Sequence, residues 1–302
     1  MHTLRMMAFL GLALVVVTAM VTAGNRKFEK KFQVGPGGTL TLKTDVGSVH
    51  VSGTAGNEVT VTVDMDGRQK DIDDFEITAD QTSGGVEVRG KTHRGGWNIF
   101  RSSDLDARFT VTVPHAYQAH VATAGGDVEI TDIQGAVEGK TSGGDMRGKQ
   151  LEGSVELETS GGSIQLEAVK GNVKAATSGG DIHVTAVTGD VEAGTSGGNV
   201  TVAEVDGKVN AETSGGNVTV KVRGGNRGVH AETSGGNVDV FIGKTSAANI
   251  DASTSGGDVV CDLPVSVSGT IRESSIKGTI NGGGALIYAH TSGGNVHIRP
   301  LE

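Results

Sequence analysis

The chain has 302 residues, of which 36% are hydrophobic and only 3% aromatic, and its formal net charge is −9. This acidic balance argues against nucleic acid as the main partner, because proteins that bind the phosphate backbone present basic surfaces. The length allows one or two domains, and the single cysteine, Cys261, excludes an internal disulfide.

Residues 1–23 have the pattern of a secretory signal peptide. Arg5 precedes an uncharged apolar run at residues 6–17, and Val21-Thr22-Ala23 supplies small residues before Gly24. An uncleaved membrane anchor is the alternative, although the run is short for a membrane span. No second hydrophobic segment follows, so we predict an exported protein without a span in the mature chain. Its location would be the periplasm, the cell surface or the extracellular medium.

Residues 24–122 are predicted to form an irregular N-terminal β region. Residues 39–42 and 59–63 alternate between apolar and polar residues, as half-buried strands do. A further alternating strand stops at Pro114. Because the turns between these strands are long and uneven, we expect this region to cap the open end of the more regular structure that follows.

Residues 91–107 depart from the alternating pattern and contain the only tryptophan of the chain. The residues that distinguish this segment are His93, Arg94, Trp97, Phe100 and Arg101. Tryptophan and arginine are common anchors of protein interfaces. We therefore predict a contact surface for a cell-envelope protein or an anionic glycan. The alternative is that Trp97 and Phe100 are bulky residues that cover the end of the hydrophobic core.

Residues 123–302 are organised by a repeat. TAGG stands at residue 123, and TSGG returns every 18 residues at 141, 159, 177, 195 and 213. Later copies begin at 233, 254 and 291, with a degenerate copy at 273–275. Each unit reads strand, corner, strand, corner, and helical periodicity is absent. The chain is therefore predicted to be all-β: a two-sided parallel β-solenoid of 18-residue rungs, stacked in register, with an irregular N-terminal β cap.

The columns of equivalent residues predict how the rungs contact one another. Glycine pairs such as Gly197-Gly198, and the single glycines at the opposite corner, are expected to adopt positive φ. The threonines are expected to point inward and to bond along their own stack. The polar residues after each glycine pair, such as Asn199, are expected to bond backbone or to form amide ladders.

An outward column on the second strand of each unit carries most of the charge. Its members are Glu138, Glu156, Lys174, Glu192, Asn210, His230 and Asp251. We interpret it as a solvated face with a ladder of Glu156, Lys174 and Glu192. Glu212 is expected beside Glu232, which would be a slightly unfavourable pair of like charges.

The layout resembles the bacterial "putative adhesin" family of β-strand-repeat proteins, a domain of unknown function. The resemblance rests on the phrase at 44–49, on the strand that ends in Val113-Pro114, and on paired phrases such as 126–128 and 135–137. It covers nearly all of the mature chain. It implies an exported or cell-envelope protein and supplies no catalytic residues.

Chemical motifs are absent from the sequence. There is no nucleophile elbow, phosphate loop or dinucleotide fingerprint, and the histidines lack the spacing of metal ligands. We therefore predict no catalytic, cofactor-binding or metal-binding residues, and a non-enzymatic structural or interaction module. The alternatives are an exported glycan-active enzyme on a β-solenoid and an envelope-stress partner of a membrane regulator.

Overall fold

A computed structural model describes residues 17–22, 25–93, 105–267 and 272–301. These ranges contain β-strands and one five-residue helix, α1 (Gln69–Asp73). The strands are β1 (Val17–Thr22), β2 (Asn25–Gln33), β3 (Thr39–Thr44), β4 (Ser48–Thr54), β5 (Glu58–Asp66), β6 (Phe75–Thr82), β7 (Gly85–Thr92), β8 (Asp106–Pro114), β9 (Gln118–Thr123), β10 (Val128–Thr131), β11 (Val137–Thr141), β12 (Met146–Glu152), β13 (Val155–Glu158), β14 (Ile164–Lys170), β15 (Val173–Thr177), β16 (Ile182–Thr188), β17 (Val191–Thr195), β18 (Val200–Val205), β19 (Val209–Thr213), β20 (Val218–Val222), β21 (Val229–Thr233), β22 (Val238–Gly243), β23 (Ala248–Thr254), β24 (Val259–Cys261), β25 (Ser266–Val267), β26 (Ser275–Ile280), β27 (Leu286–Thr291) and β28 (Val296–Leu301).

The strands form two long sheets that face each other. Sheet A runs β1-β2-β5-β8-β4-β10-β12-β14-β16-β18-β20-β22-β28-β24, and sheet B runs β25-β26-β23-β27-β21-β19-β17-β15-β13-β11-β9-β3-β7-β6. In the regular region each strand pairs in parallel with the strand 18 residues away, as Val200 does with Ile182 and with Val218. The predicted two-sided parallel β-solenoid is therefore confirmed.

The core is a narrow file of aliphatic side chains between the two sheets. Val200, Val202 and Val218 have no exposed surface, and Val209 is 3% exposed. Each such valine contributes about 1.5–3 kcal/mol to folding by leaving water. The space between the two sheets is too narrow for aromatic rings. A chain that is poor in aromatic residues can therefore still form a continuous core.

The threonine column joins each rung to its neighbour. The Thr195 hydroxyl donates to the carbonyl of Gly180 at 3.0 Å, and the amide of Gly198 approaches the same hydroxyl oxygen at 3.4 Å. Equivalent hydroxyl bonds of 2.7–3.0 Å recur at Thr123, Thr141, Thr159, Thr177, Thr213, Thr233, Thr254 and Thr291. The threonines point inward as predicted. Their partners, however, are backbone carbonyls of the neighbouring corner rather than other threonines.

The polar column after the glycine pairs also bonds from rung to rung. The Asp181 carboxylate accepts from the amide of Asn199 at 2.7 Å, and the Asn199 side chain accepts from the amide of Asn217 at 2.9 Å. These side chains satisfy backbone amides at a corner where the strand ladder is interrupted. The expectation that this column bonds to backbone is confirmed.

The glycine pairs of the regular rungs do not adopt left-handed backbone conformations, so the predicted reason for them is wrong. Close approach is the reason instead. A Cβ on Gly198 would overlap the carbonyl oxygen of Gly180, whereas one on Gly197 would lie 3.3 Å from the nearest atom, the Gly179 oxygen. At the opposite corner the prediction holds for Gly153, Gly171 and Gly189, whose φ values are +134°, +148° and +157°, and it is wrong for Gly135 and Gly207.

Non-glycine residues in sheet A adopt the left-handed conformation at an 18-residue spacing. They are Asp132, Gln150, Ala168, Ala186 and Glu204, with φ between 55° and 59°. At Ala186 the ladder from β14 to β16 is interrupted without a change of register, because Ala168 and Ala186 are skipped together. This local kink turns both Val184 and Val187 into the core. A true bulge occurs at Glu204, where the register between β18 and β20 shifts. We did not predict this column, because none of its members is glycine.

At the N-terminal end the spatial order of the rungs differs from the chain order. β3 and β4 lie between the rung of β9 and β10 and the rung of β7 and β8. β5 and β2 then extend sheet A, and β6 extends sheet B, in antiparallel pairs. The cap contains its own bulky core residues, Phe32, Phe75 and Phe109, which are at most 3% exposed. Trp97 and Phe100 are therefore not the only bulky residues near this end.

At the C-terminal end the last complete rung is also inserted out of order. Val296 in β28 pairs with Val238 on one side and with Val259 on the other. The degenerate copy at 273–275 lies at the edge, where β25 and β26 pair antiparallel. The expectation of parallel strands up to residue 299 is therefore wrong for these two strands. A sandwiched corner needs a glycine at its close approach, and the degenerate copy lacks one.

Gly198→Ala is expected to lower the free energy of unfolding by about 1–3 kcal/mol, because its methyl group would push two rungs apart. Gly197→Ala is the matched control and should cost clearly less, since its methyl group would lie 3.3 Å from the Gly179 oxygen rather than overlap backbone atoms. Urea denaturation of the two variants measures the difference. Equal losses would show that close approach is not the constraint.

Ala186→Gly is expected to raise the free energy of unfolding by about 0.5–1 kcal/mol, because relief of the left-handed strain outweighs the extra entropy of the unfolded chain. Ala176→Gly, in the regular part of β15, should instead lower it by about 0.5–1 kcal/mol. Thermal and urea unfolding report both signs. A loss of stability in Ala186→Gly would contradict this account.

Candidate functional site

One corner of the solenoid is much longer than the others. Residues 93–105 connect β7 of sheet B to β8 of sheet A. In a regular rung the equivalent connection, from β17 to β18, is made by residues 196–199. Thr44, in the neighbouring rung, donates to the carbonyl of Val46 in its own corner. Residues 93–105, called the long corner below, therefore replace the repeat phrase at one side of the rod.

His93 ties the start of the long corner to the edge of sheet B. Its Nε2 lies 2.8 Å from a Glu76 carboxylate oxygen, and its amide donates to the carbonyl of Asp74 at 2.8 Å. The amide of Thr92 donates to the Asp45 carboxylate. Of the predicted contact residues, only His93 lies in the described part of the chain. Arg94, Trp97, Phe100 and Arg101 lie outside it.

Three basic side chains and the Asp45 carboxylate line a hollow at the base of the long corner. Lys43 and Arg89 are direct neighbours on β3 and β7, and Lys91 lies beside them at a hollow of about 430 Å³. Arg89 pairs with Glu87 at 2.5 Å. Lys43 and Lys91 form no ion pair with any residue that the structure describes. Two exposed ammonium groups thus lie side by side on a protein that is acidic as a whole.

A second feature is an open groove of about 770 Å³ on the outer face of sheet B, called the sheet B groove below. Its floor consists of the backbone at the valines that begin the strands, Val155, Val173, Val191, Val209 and Val229. One rim is the column before these valines, which includes Asp190 and Lys208. The other rim is the column after them. Two parallel columns of outward side chains therefore create a groove along the rod.

Charge pairs occupy part of this groove. The Lys174 ammonium lies 3.0 Å from the Glu156 carboxylate, and the two residues are neighbours in register on β15 and β13. This hydrogen bond raises the pKa of Lys174 and lowers the pKa of Glu156. The predicted ladder is therefore confirmed at this step. Glu192 is also a register neighbour of Lys174.

Aromatic side chains lie at the C-terminal end of the groove. The rings of His230 and Tyr288 are stacked, with centroids 4.6 Å apart and an interplanar angle of 12°. Burial raises the pKa of Tyr288, and the charges of Glu232 and Asp251 add to this effect. We did not predict Tyr288 here, because the insertion of β27 beside β21 cannot be read from the order of the repeats.

The predicted neighbours Glu212 and Glu232 do lie in register on β19 and β21. His230 extends between them, with Nε2 3.8 Å from Glu212 and 3.3 Å from Glu232. The imidazole nitrogen therefore lies within reach of both carboxylates. One rung away, the side-chain oxygen of Asn210 is buried and has no hydrogen-bond partner among the described residues.

No helix in the described ranges has the length and apolar character that would let it cross a membrane.

Stacked parallel rungs, close glycine corners and a strand-based cap define the class as a β-solenoid repeat protein. The profile of the Toastrack DUF4097 family matches residues 39–299, which is most of the chain. The protein belongs to this family. No curated protein shows a significant match.

Solved structures similar to this chain come from Bacteroides fragilis, Parabacteroides distasonis and Clostridium sporogenes. A "putative adhesin" from Bacteroides fragilis is 11% identical, with a TM-score of 0.44, covering 91% of this chain and 97% of that one. A "putative adhesin" from Parabacteroides distasonis is 13% identical, with a TM-score of 0.35 and the same coverage. A "putative cell adhesion protein" from Clostridium sporogenes is 12% identical, with a TM-score of 0.26, covering 90% and 99%.

Proposed function

We propose that this protein is an exported, non-catalytic interaction module of the cell envelope that contacts its partner through the long corner. The observation that carries the proposal is the replacement of one repeat corner by residues 93–105. Loops displayed on a rigid scaffold are where binding residues concentrate. The rod supplies that scaffold, and the long corner supplies the only tryptophan of the chain.

The surroundings of the long corner favour a partner with anionic groups. Lys43, Arg89 and Lys91 lie at its base, and Arg94 and Arg101 lie within it in the sequence. Arginine recognises carboxylate and phosphate groups through paired hydrogen bonds. An acidic surface of an envelope protein or an anionic glycan has the matching chemistry. The bulky residues Phe32, Phe75 and Phe109 occupy the core at this end, so a lid of Trp97 and Phe100 is not the only source of bulky side chains there.

The charge arrangement in the sheet B groove supports a non-catalytic role. A glycan hydrolase needs a carboxylic acid whose pKa is raised, so that it can protonate the leaving group. The pKa of Glu156 is lowered instead, because the Lys174 ammonium stabilises its carboxylate. This pair stabilises a charged, solvated surface and does not supply a proton donor.

Export predicts that the mature protein begins at Gly24. Cleavage there would remove β1, which pairs antiparallel with β2, and would leave β2 as the edge of sheet A. The lysines of β2, such as Lys27 and Lys31, suit an edge strand because they discourage strand pairing with other chains. Mass spectrometry of the exported protein measures its first residue. Retention of Met1 in the exported protein would contradict the prediction, and Ala23→Leu should block cleavage.

Trp97→Ala is expected to abolish capture of envelope partners, because it removes the aromatic anchor of the long corner. Its thermal unfolding should remain within a few degrees of the parent protein. Thr201→Val, which changes an outward residue of β18 far from the long corner, is the matched control and should capture partners normally. A large loss of stability with no change in capture would identify Trp97 as a core residue instead.

A further inference from the structure

The sheet B groove has the shape of a site for a long, unbranched ligand. It follows the stacking direction and includes residues of the rungs from β11 to β27. Six successive strand spacings of ~4.8 Å give it a length of roughly 29 Å. It is open along its length, so a linear chain can lie in it with both ends free.

Polar groups in the middle of the groove lack partners. The Lys208 ammonium and the Glu192 carboxylate form no ion pair or hydrogen bond with any residue that the structure describes, and the Asn210 oxygen is buried without a partner there. These groups lie on the adjacent strands β17 and β19 or directly before them. Lys208 offers donors and Glu192 offers acceptors at the surface, and a ligand hydroxyl group can both donate and accept. Such a hydroxyl can bond to either charged group, whereas the buried Asn210 oxygen becomes accessible to it only when the amide rotates.

Apolar surface lies at one end of the groove. Leu286 there is 50% exposed, whereas Val173, Val191 and Val209 of the floor are at most 3% exposed, because their side chains point into the core. The His230–Tyr288 stack adds two amphipathic rings at the same end. The C–H face of a sugar ring can pack on these side chains, and its hydroxyl groups can bond to the polar rims.

The charges along the groove are nearly balanced. Four carboxylates, those of Glu138, Glu156, Asp190 and Glu192, face three cations, those of Lys174, Lys208 and Arg227. With a net charge of −9 for the chain, a polyanion gains little from this surface. This near balance of charge distinguishes the groove from the hollow at the long corner, where Lys43 and Lys91 have no ion-pair partner among the described residues.

A peptide strand is a poorer occupant than a glycan. Peptides bind β-sheets by adding a strand at an open edge, where backbone amides and carbonyls have no partner. The groove lies on the face of sheet B, where β13, β15, β17 and β19 are already paired on both sides. A peptide there would gain no ladder of backbone hydrogen bonds.

We propose that the sheet B groove binds a linear, uncharged polysaccharide, with Glu192, Lys208 and Asn210 as its central contacts. The inference rests on the proposed function in one respect, namely that this face binds a ligand without cleaving it. The sheet B groove is then a second site, and its ligand differs in chemistry from the anionic partner expected at the long corner.

The test is isothermal titration of the full mature chain with cellohexaose, laminarihexaose, maltohexaose and chitohexaose, and with polygalacturonate as an anionic comparison. At least one uncharged hexasaccharide should bind, without appearance of shorter products. Lys208→Ala and Asn210→Ala should each weaken that binding by roughly tenfold, since each removes a hydrogen-bonding group. Thr201→Val, on the opposite sheet, should leave the affinity unchanged, and unfolding curves verify that all variants are folded.

The outcomes separate this site from the long corner. Binding of hexasaccharide that survives Trp97→Ala but is lost in Asn210→Ala supports the groove, whatever happens to partner capture. Absence of binding by all four uncharged sugars at millimolar concentration would overturn the proposal, as would preference for polygalacturonate. Equal affinity in the parent and in both groove variants would also overturn it. Release of shortened sugars would overturn the non-catalytic function instead.

Discussion

The close approach of successive TSGG corners is the constraint on which the whole rod depends. The second glycine of each phrase lies against the backbone of the neighbouring corner, and no side chain fits there. The buried threonine hydroxyl then bonds across the same gap, as Thr195 does to Gly180. Steric contact and hydrogen bond act at one place, so they set the spacing and the register of both sheets together.

The same constraint explains the order of rungs at the two ends. The corner at residues 44–47 has Gly47 at the close-approach position and Val46 at the position before it. This corner lies inside the stack. The complete phrase beginning at Thr291 is likewise sandwiched, with Thr254 donating to Gly294. The copy at 273–275 has no glycine and lies at the edge. A glycine at the close-approach position is therefore required of an internal corner, although the phrase at 82–85 shows that it does not suffice, because it joins β6 and β7, an antiparallel pair at the edge of sheet B.

A repeating scaffold can become specific in two ways, and this chain uses both. The long corner interrupts the repeat in the sequence, and Lys43 and Lys91 lie at the hollow where it begins. The sheet B groove keeps the repeat but varies the outward residues from rung to rung, as at Glu192 and Asn210. Neither device disturbs the core, because outward residues and corner insertions leave the inward valines in place.

The sequence by itself determined the architecture, since an 18-residue period with two alternating strands permits few other folds. It also identified the inward valines, the inward threonines and the neighbours Glu156 and Lys174, because those follow from period and alternation. The tertiary structure decided which rungs exchange places, and thereby that Tyr288 lies beside His230. It also decided that Ala186 takes a left-handed turn. Such features depend on contacts between distant residues, and the period of a repeat does not encode them.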